Sequence, residues 1–220
     1  MAPVAGRHFL EYLLTWLRSA GLRSLILCVG YKKDQIQGWL GNGKAWKLRI
    51  RYSKEKKLLG TAGALKHAER MISAPLCLVV NGDSFLDVDL SQMYQFHLAR
   101  AALATIAVAR VGNSARYGTV QLDRTQQIRA FNEKKTNLAS KADALSPSRL
   151  QSINGGVYLL DRRFFDAIPS DKAVSLEKQI FPALVGKGLY GFVTRGYFVD
   201  IGIPSDFEKA QTQLGKRFRP

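Results

Sequence analysis

Two aspartates stand at the ends of apolar stretches in this 220-residue chain. Asp83 follows the apolar residues 76–80, with Asn81 and Gly82 in between, and Asp200 ends a second apolar stretch. Ligands of open α/β sheets bind outside the carboxyl ends of the strands, so both carboxylates are candidates for one site. A small set of oxygen ligands suits Mg²⁺ rather than zinc. We therefore predict that Asp83 and Asp200 hold Mg²⁺; the alternative for Asp83 is an aspartate that caps the next turn.

A run of small residues, Leu59-Gly60-Thr61-Ala62-Gly63-Ala64, lies between a predicted strand and a predicted helix. Small side chains at a helix start let backbone N–H groups approach a flat base or an anion. This run is therefore a candidate for nucleotide binding, and Gly82 leaves room for a nucleotide phosphate beside Asp83. The alternative for the run is a tight strand-to-helix turn that binds no ligand.

Three segments in the second half of the chain could bind a polyol or a phosphate. Glu133 can accept sugar hydroxyls and Lys134 can neutralise a phosphate, provided that a bulge or strand end lets both face one site. Asn154 offers a donor and an acceptor, and Gly155 permits close backbone approach. Glu177 presents a carboxylate at a helix start. The alternatives are a surface ion pair, a hairpin turn and a helix cap, respectively.

The elements that must position these residues alternate along the first half of the chain. Spacing and composition predict helices at 9–17, 32–40, 64–72, 91–102, 176–185 and from 205, and strands at 24–30, 48–52, 76–81, 104–109, 119–122, 128–131, 156–160 and 197–200. Such alternation favours an α/β fold of three layers, in which a mostly parallel mixed sheet has helices on both faces. We expect one domain over residues 1–220, with residues 1–110 as its nucleotide-binding half (the nucleotide half) and residues 111–220 as its sugar-binding half (the sugar half).

The composition limits the classes of partner and compartment. A formal net charge of +16 favours polyanions: nucleic acid, an anionic membrane or phosphorylated small molecules. No nucleic-acid recognition motif is visible, no apolar run approaches the ~20 residues of a membrane span, and the first residues resemble no signal peptide. Cys28 and Cys77 lie in apolar runs, which predicts buried thiols in a reducing compartment. We expect a cytoplasmic protein without specific nucleic-acid or membrane partners, and homo-oligomerisation stays possible.

The order and spacing of the motifs are more informative than any one motif. The chain resembles the sugar-1-phosphate nucleotidyltransferase family over nearly its whole length. The resemblance rests on Leu-Gly-Thr-Ala-Gly-Ala at 59–64, Asn-Gly-Asp at 81–83, Tyr-Gly at 117–118, Glu-Lys at 133–134, Asn-Gly-Gly at 154–156, Ser-Leu-Glu at 175–177 and Asp-Ile-Gly at 200–202. Within that family, residues 2–7 and 200–204 resemble the D-glycero-α-D-manno-heptose 1-phosphate guanylyltransferases.

The resemblance implies a Rossmann-like, glycosyltransferase-A-like fold and the transfer of GMP from GTP to a heptose 1-phosphate, with release of pyrophosphate. It implies a catalytic set of Asp83, Lys134 and Asp200, with Mg²⁺ on the two aspartates. It assigns the nucleotide to Leu59, Gly60, Thr61, Ala62, Gly63, Asn81 and Gly82, and the sugar to Gly118, Glu133, Asn154, Gly155 and Glu177. The alternatives are another base or hexose 1-phosphate, and a truncated protein that binds a sugar nucleotide without turnover.

The chain departs from the family pattern at its start. The family begins with a strand and a Gly-rich loop that holds the triphosphate, both upstream of the segment that matches Met1–Val4. We therefore expect the first central strand to be missing, which leaves the strands at 24–30 and 76–81 beside an unfilled position. Each unpaired buried backbone group costs about 1–3 kcal/mol. We expect the full protein to begin upstream of Met1, and residues 1–220 alone to turn over at a rate near background.

Overall fold

The computed structural model describes residues 2–112, 117–132 and 150–218. Its strands are β1 (Pro3–Val4), β2 (Arg7–His8), β3 (Ser24–Val29), β4 (Arg49–Lys54), β5 (Leu76–Val80), β6 (Ser84–Leu86), β7 (Ala104–Val111), β8 (Thr119–Leu122), β9 (Ile128–Asn132), β10 (Gln151–Asp161), β11 (Leu189–Val193) and β12 (Phe198–Asp200). Its helices are α1 (Phe9–Ser19), α2 (Lys33–Leu40), α3 (Gly60–Ala68), α4 (Leu90–Ala99), α5 (Phe181–Ala183) and α6 (Pro204–Arg217), and a π-helical turn, Leu176–Ile180, precedes α5. The α/β fold class predicted from the sequence is confirmed.

Strand β10 organises the main sheet, whose order is β11-β7-β10-β8-β9 with β5 also paired to β10. Along one edge β10 pairs with β7, and along the other it pairs with β8 at Ile153 and with β5 from Val157 onward. β11 runs parallel to β7, and β5 and β7 are both antiparallel to β10. The sheet is therefore mixed: β5, β7 and β11 share one direction and β10 opposes them.

Both faces of this sheet are covered. Successive residues of β10 alternate between two hydrophobic clusters, with Val157 and Leu159 in one and Tyr158 and Leu160 in the other. The first cluster includes residues of α1, α6, β6 and β12, and the second includes residues of α3, α5 and β9. This alternation is what the pleat of a strand requires when helices lie on both sides of a sheet. The result is the predicted three-layer arrangement.

Strands β3 and β4 form a separate two-stranded parallel sheet. Within the described residues, no backbone pairing joins β3 to β5, although Leu25 of β3 and Leu78 of β5 pack against the same cluster. All five residues of β5 are apolar, yet each is only partly buried. This agrees with the expected unfilled strand position between the segments at 24–30 and 76–81.

The thiols show the consequence of that arrangement. The prediction that both cysteines are buried is wrong for Cys28, which is exposed, and Cys77 is only partly buried. Each lies on a strand that is paired along one edge, so an apolar strand sequence did not ensure burial. Protein atoms still surround both sulfurs, and this desolvation raises the pKa of each thiol to about 11.

Three element boundaries differ from the sequence expectation. α3 begins at Gly60 rather than near Ala64, because a run of small residues carries no apolar periodicity to mark a helix. β10 begins at Gln151, so Asn154 lies inside a strand rather than in a turn before one. The predicted helix at 176–185 is a π-helical turn followed by the short α5. No helix among the described ranges is long and apolar enough to cross a membrane.

Candidate active site

Two adjoining clefts open at the carboxyl end of β5. One is lined by Thr61, Asn81, Gly82 and Asp83. The other is lined by Asn81, Asp83, Ser84, Tyr117, Gly118, Asn154, Gly156, Glu177, Phe198 and Asp200. They share Asn81 and Asp83, so the segment after β5 is the junction between a side with residues predicted to bind the nucleotide and a side with residues predicted to bind the sugar.

The structure thus brings together most of the predicted site residues. Glu133, a predicted sugar ligand, and Lys134, a predicted catalytic residue, lie outside the described residues. In the described part of the chain, Gly155 lies behind the cleft: a Cβ there would stand 2.3 Å from Cδ2 of Leu86 and 2.8 Å from the Ala107 carbonyl oxygen. Gly155 therefore lets β10 approach β6 and β7 closely, and a contact with sugar stays a prediction.

Strand pairing brings the two aspartates to one place. β12 runs antiparallel to β6, with Asp200 opposite Ser84, and the Ile201 amide donates to the Asp83 carbonyl at 2.9 Å. Burial raises the pKa of Asp83, and the charge of Glu177 raises it further. Burial also raises the pKa of Asp200, with added repulsion from Asp83 and Asp206, while the Gly202 amide lowers it. These carboxylates are destabilised as anions at the place where a cation would relieve them.

The donor set fits Mg²⁺ rather than a metal that needs a full protein cage. Among the described residues no group of three His, Cys, Asp or Glu side chains is placed to hold a metal ion. Mg²⁺ is typically held by one or two carboxylates together with substrate phosphates and water, and this arrangement needs only Asp83 and Asp200. The Ser84 hydroxyl lines the same cleft and is buried without a hydrogen-bond partner in the described structure, which leaves it available to a ligand or water.

A hydrogen-bonded chain of side chains lines the sugar side. Asn154 donates from Nδ2 to the Tyr158 hydroxyl at 2.9 Å, and that hydroxyl donates to Oε1 of Glu177 at 3.4 Å. Oε2 of Glu177 accepts from the hydroxyls of Thr61 and Ser175, each at 2.8 Å. The amide and the carboxylate predicted to bind a sugar are therefore oriented by one network.

Sequence reasoning missed Tyr158 in this network. Its side chain is fully buried, and its hydroxyl lies between Asn154 and Glu177. A register shift in β10 between Asn154 and Tyr158, together with a φ of +73° at Gly156, brings the two side chains together. No sequence signal marked this contact, because residues i and i+4 of a regular strand share a face but lie about 13 Å apart, and only the irregularity in β10 brings them within hydrogen-bond distance.

The small residues at 59–63 serve first to dock another part of the chain. The amides of Ala62 and Gly63 donate to the Val174 carbonyl at 2.9 and 3.2 Å, and the Val174 amide donates to the Leu59 carbonyl at 2.8 Å. A Cβ on Gly60 would lie 2.6 Å from the Val174 carbonyl oxygen, so the glycine is required for this approach. The predicted close backbone approach is present, and its partner here is the chain that leads to Glu177. Binding of a nucleotide by residues 59–63 stays a prediction.

Tyr117 holds the far wall of the sugar-side cleft. Its hydroxyl donates to Asp206 at the start of α6, and its ring meets the Phe198 ring edge-on with centroids 5.3 Å apart. Asp206 also forms an ion pair with Lys209 at 2.8 Å. Gly118, a predicted sugar ligand, follows directly in the cleft wall.

Comparison with known proteins agrees with this geometry. The family model described as "Nucleotidyl transferase" matches residues 1–217. The chain is 34% identical, over 97% of its length and 88% of the relative's, to a D-glycero-alpha-D-manno-heptose 1-phosphate guanylyltransferase of Aneurinibacillus thermoaerophilus. It is 33% identical over its full length to a mannose-1-phosphate guanylyltransferase of Mycobacterium tuberculosis, of which it spans 59%.

The fold is also shared with a solved structure. The crystal structure of HddC from Yersinia pseudotuberculosis complexed with GMP-PN superposes with a TM-score of 0.81 at 28% identity, covering 97% of this chain and 88% of that one. Since the match covers 97% of this chain, it extends across both halves of the molecule. Family model, relatives and fold all lead to one conclusion: this chain belongs to the nucleotidyl transferase family.

Proposed function

We propose that this protein transfers GMP from GTP to a sugar 1-phosphate, a heptose 1-phosphate in the first instance, and releases pyrophosphate. The observation that carries the proposal is the pair of clefts that meet at Asp83, one lined by residues 61 and 81–83 and the other by Asn154, Glu177 and Asp200. A reaction between two phosphorylated substrates needs two binding places that adjoin where phosphorus is attacked. The heptose 1-phosphate guanylyltransferase similar over 88% of its own length supports the choice of base and sugar.

The reaction asks for positioning and charge neutralisation rather than covalent catalysis. An oxygen of the sugar phosphate bonds to the α-phosphorus of the triphosphate while the bond from that phosphorus to the bridging oxygen breaks, and pyrophosphate carries away the charge. The attacking oxygen is already anionic, so no general base has to remove a proton. Mg²⁺, when bound to Asp83 and Asp200, supplies positive charge against the phosphate oxygens.

The side chains of the sugar-side cleft suit a polyol. Asn154 donates one N–H to Tyr158 and accepts the Gly156 amide at 3.1 Å, and its amide group has a second N–H and a second lone pair for sugar hydroxyls. Glu177, whose carboxylate is held by neutral hydroxyls, can accept from further hydroxyls of the sugar. In this proposal these residues orient the acceptor, and its phosphate extends toward Asp83.

The proposed substrates also account for the net charge of the chain and for the compartment in which we place the reaction. GTP and a sugar phosphate are polyanions, and a net charge of +16 favours their approach. Activated sugars of this kind supply cell-surface polysaccharide, and we place the reaction in the cytoplasm, where the nucleotide is available.

Two further candidates have specific support. Mannose 1-phosphate is an alternative acceptor because the chain is 33% identical over its full length to a mannose-1-phosphate guanylyltransferase. Binding of a sugar nucleotide without turnover is an alternative because β3 and β5 are each paired along one edge. This leaves the nucleotide half less well packed than the sugar half.

The test, made with the full-length protein, measures pyrophosphate release and sugar-nucleotide formation with GTP and Mg²⁺. Heptose 1-phosphate and mannose 1-phosphate are used in parallel, with ATP, UTP and dTTP as competing donors. Asp83→Asn and Asp200→Asn are each expected to lower the rate at least about 100-fold, because each removes a carboxylate that would hold Mg²⁺ against the phosphates. Asp166→Asn, an exposed aspartate away from both clefts, is the matched control and should leave the rate unchanged. Saturable binding without product would establish the binding function, and neither binding nor turnover with any pair would contradict both.

A further inference from the structure

The Thr61 side chain forms hydrogen bonds with the sugar half, although Thr61 lies in the segment that is predicted to bind the nucleotide. Its Oγ1 accepts from the Leu176 amide at 2.8 Å and donates to Oε2 of Glu177 at 2.8 Å. A hydroxyl has a single hydrogen, so the amide fixes Oγ1 as acceptor on one side and leaves its proton for the carboxylate. Both partners lie more than 110 residues away in sequence, on the π-helical turn of the sugar half.

The Glu177 carboxylate depends on hydrogen bonds from other residues, because the π-helical turn that carries Glu177 is short and irregular. The π-helical turn is capped by Ser175, whose hydroxyl accepts from the Lys178 amide at 3.2 Å and donates to Glu177. A π-helical turn of five residues lacks the regular hydrogen-bond ladder of an α-helix. The carboxylate is therefore oriented by hydroxyls, and Thr61 is the one that the nucleotide half contributes.

The charge around Glu177 supports the same conclusion. In the regions that the structure describes, no Lys, Arg or His forms an ion pair with Glu177. Its charge raises the pKa of Asp83 across the junction of the clefts. Hydroxyl donors hold the carboxylate in place without neutralising it, so its acceptor capacity is kept for a ligand.

We propose that Thr61 is a positioning residue for the sugar: its hydroxyl sets the Glu177 carboxylate, although its backbone lies in the segment predicted to hold the nucleotide. The sugar part of this proposal rests on the proposed function. It assigns to one residue of α3 a role in acceptor binding that its place in the motif at 59–64 does not suggest.

The experiment compares Thr61→Val, which keeps the shape and removes the hydroxyl, with Thr61→Ser, which keeps the hydroxyl. In calorimetric titrations with Mg²⁺, Thr61→Val should weaken binding of the sugar 1-phosphate about tenfold while the Kd for GTP changes less than about twofold. Where turnover is measurable, KM for the sugar phosphate should rise while KM for GTP stays constant. Thr61→Ser should restore the wild-type values, and Thr212→Val, on the exposed face of α6, should have no effect.

A double-mutant cycle tests whether Thr61 acts through Glu177. Glu177→Gln should weaken sugar 1-phosphate binding by itself, and adding Thr61→Val should then cost little more, because the two changes remove one interaction. Equal weakening of GTP and sugar phosphate by Thr61→Val, additive effects in the cycle, or failure of Thr61→Ser to restore binding would each overturn the proposal.

A separate readout keeps the two proposals distinguishable. If the wild-type chain binds no sugar 1-phosphate and no nucleotide, the proposed function fails while the positioning contact can still be tested. Amide hydrogen exchange at Leu176 should then accelerate about tenfold in Thr61→Val and stay at the wild-type rate in Thr61→Ser, since its acceptor is lost only in the former. Unchanged exchange in Thr61→Val would show that the hydroxyl does not hold this turn.

Discussion

The strands β5 and β10 are neighbours, and β5, whose five residues are all apolar, is the less buried of the two although β10 contains Gln151, Ser152, Asn154 and Asp161. Leu160 of β10 is 0% exposed, whereas Leu78 of β5 is only partly buried. β10 has a partner on each edge, and β5 is paired along one edge, to β10. A strand is shielded only when neighbours and helices cover it, so composition alone does not set its burial.

The same contrast divides the molecule. Residues 111–220, the sugar half, contribute seven of the twelve largest fully buried side chains, whereas residues 1–110, the nucleotide half, contribute five and include β3, β4 and β5 with their partly exposed residues. The pairing of β5 with β10 and the docking of residues 59–63 on Val174 join the two halves. The better-packed sugar half therefore stabilises the acceptor side of the site, and the contact of residues 59–63 with Val174 links the nucleotide side to it.

The largest expected effect tests this contrast with one residue type. Leu160→Ala should lower the free energy of unfolding by about 2–5 kcal/mol, because a fully buried leucine leaves a cavity. Leu78→Ala on the adjacent strand should cost only about 1–2 kcal/mol, because less apolar surface returns to water. Urea titrations of both variants measure the difference. Equal losses would mean that β5 is as well packed as β10, and the contrast would be wrong.

The next effect concerns the contact between the halves. Gly60→Ala should destabilise the protein by about 1–3 kcal/mol, since residue 60 has a φ of +70° and a Cβ would lie 2.6 Å from the Val174 carbonyl oxygen. Gly82→Ala is the matched control, because no atom lies within 4 Å of a Cβ there. Urea midpoints of the two variants give the comparison. A Gly60→Ala variant as stable as Gly82→Ala would show that the docking contact can relax freely.

The sequence predicted β3, β4, β5, β7, β8, β9, β10 and β12, because each carries an apolar run or an apolar alternation with clear ends, and it missed β1, β2, β6 and β11. It also predicted that Asp83 and Asp200 would be candidates for one site, since each follows a strand. Both line one cleft, although Asp200 ends β12, which pairs with β6 outside the main sheet, and their binding of Mg²⁺ stays a prediction. The sequence misplaced the start of α3, where Gly60 to Gly63 have no periodic apolar side chains to mark a helix. It also misplaced Asn154, because a β-bulge depends on what packs across the strand and not on the local pattern.

Contacts between distant residues were beyond sequence reasoning. Thr61 and Glu177 are 116 residues apart, and no local periodicity relates them. Tyr158 reads as an ordinary core residue of an apolar strand, and its hydroxyl acquires a role only because Asn154 and Glu177 meet it. Chemistry that belongs to a single residue was therefore predictable, and the orientation of one residue by another was not.

A smaller effect probes how often the nucleotide half opens. Cys28 and Cys77, the two cysteines of the chain, lie on β3 and β5, and desolvation by the surrounding protein atoms raises the pKa of each thiol to about 11. In the folded protein at pH 8 both should react with iodoacetamide about tenfold more slowly than a free thiol, because little thiolate is present. Mass spectrometry of the labelled chain gives the rates. Labelling of both at the free-thiol rate would mean that β3 and β5 separate frequently from their surroundings.

The smallest effect compares two carboxyl groups whose pKa values are shifted in opposite directions. Asp83, in the cleft, has a pKa raised by burial, whereas Asp123, in the turn between β8 and β9, has a pKa lowered to about 2, chiefly by the Thr125 hydroxyl and also by the Gln127 amide and the Arg129 side chain. A raised pKa means that the folded state keeps its proton to a higher pH, so the contribution of Asp83 to stability is lost as pH rises through that pKa. For Asp123 the sign is reversed, and its contribution is lost as pH falls from about 4, the value in unfolded chains, toward 2.

The two variants should therefore change stability in opposite directions at neutral pH. Without Mg²⁺, Asp83→Asn should be slightly more stable than the wild type at pH 7, and the gain should shrink as pH falls toward 4. Asp123→Asn should be less stable at pH 7, with a deficit that narrows only in more acid solution. Thermal melts between pH 2 and pH 7 show both trends, and Asp166→Asn gives the baseline. A gain in stability for Asp123→Asn would contradict the view that hydrogen bonds in the turn already stabilise the Asp123 carboxylate. A loss in stability for Asp83→Asn that Mg²⁺ leaves unchanged would contradict the view that the carboxylates of the cleft are destabilised until a cation binds.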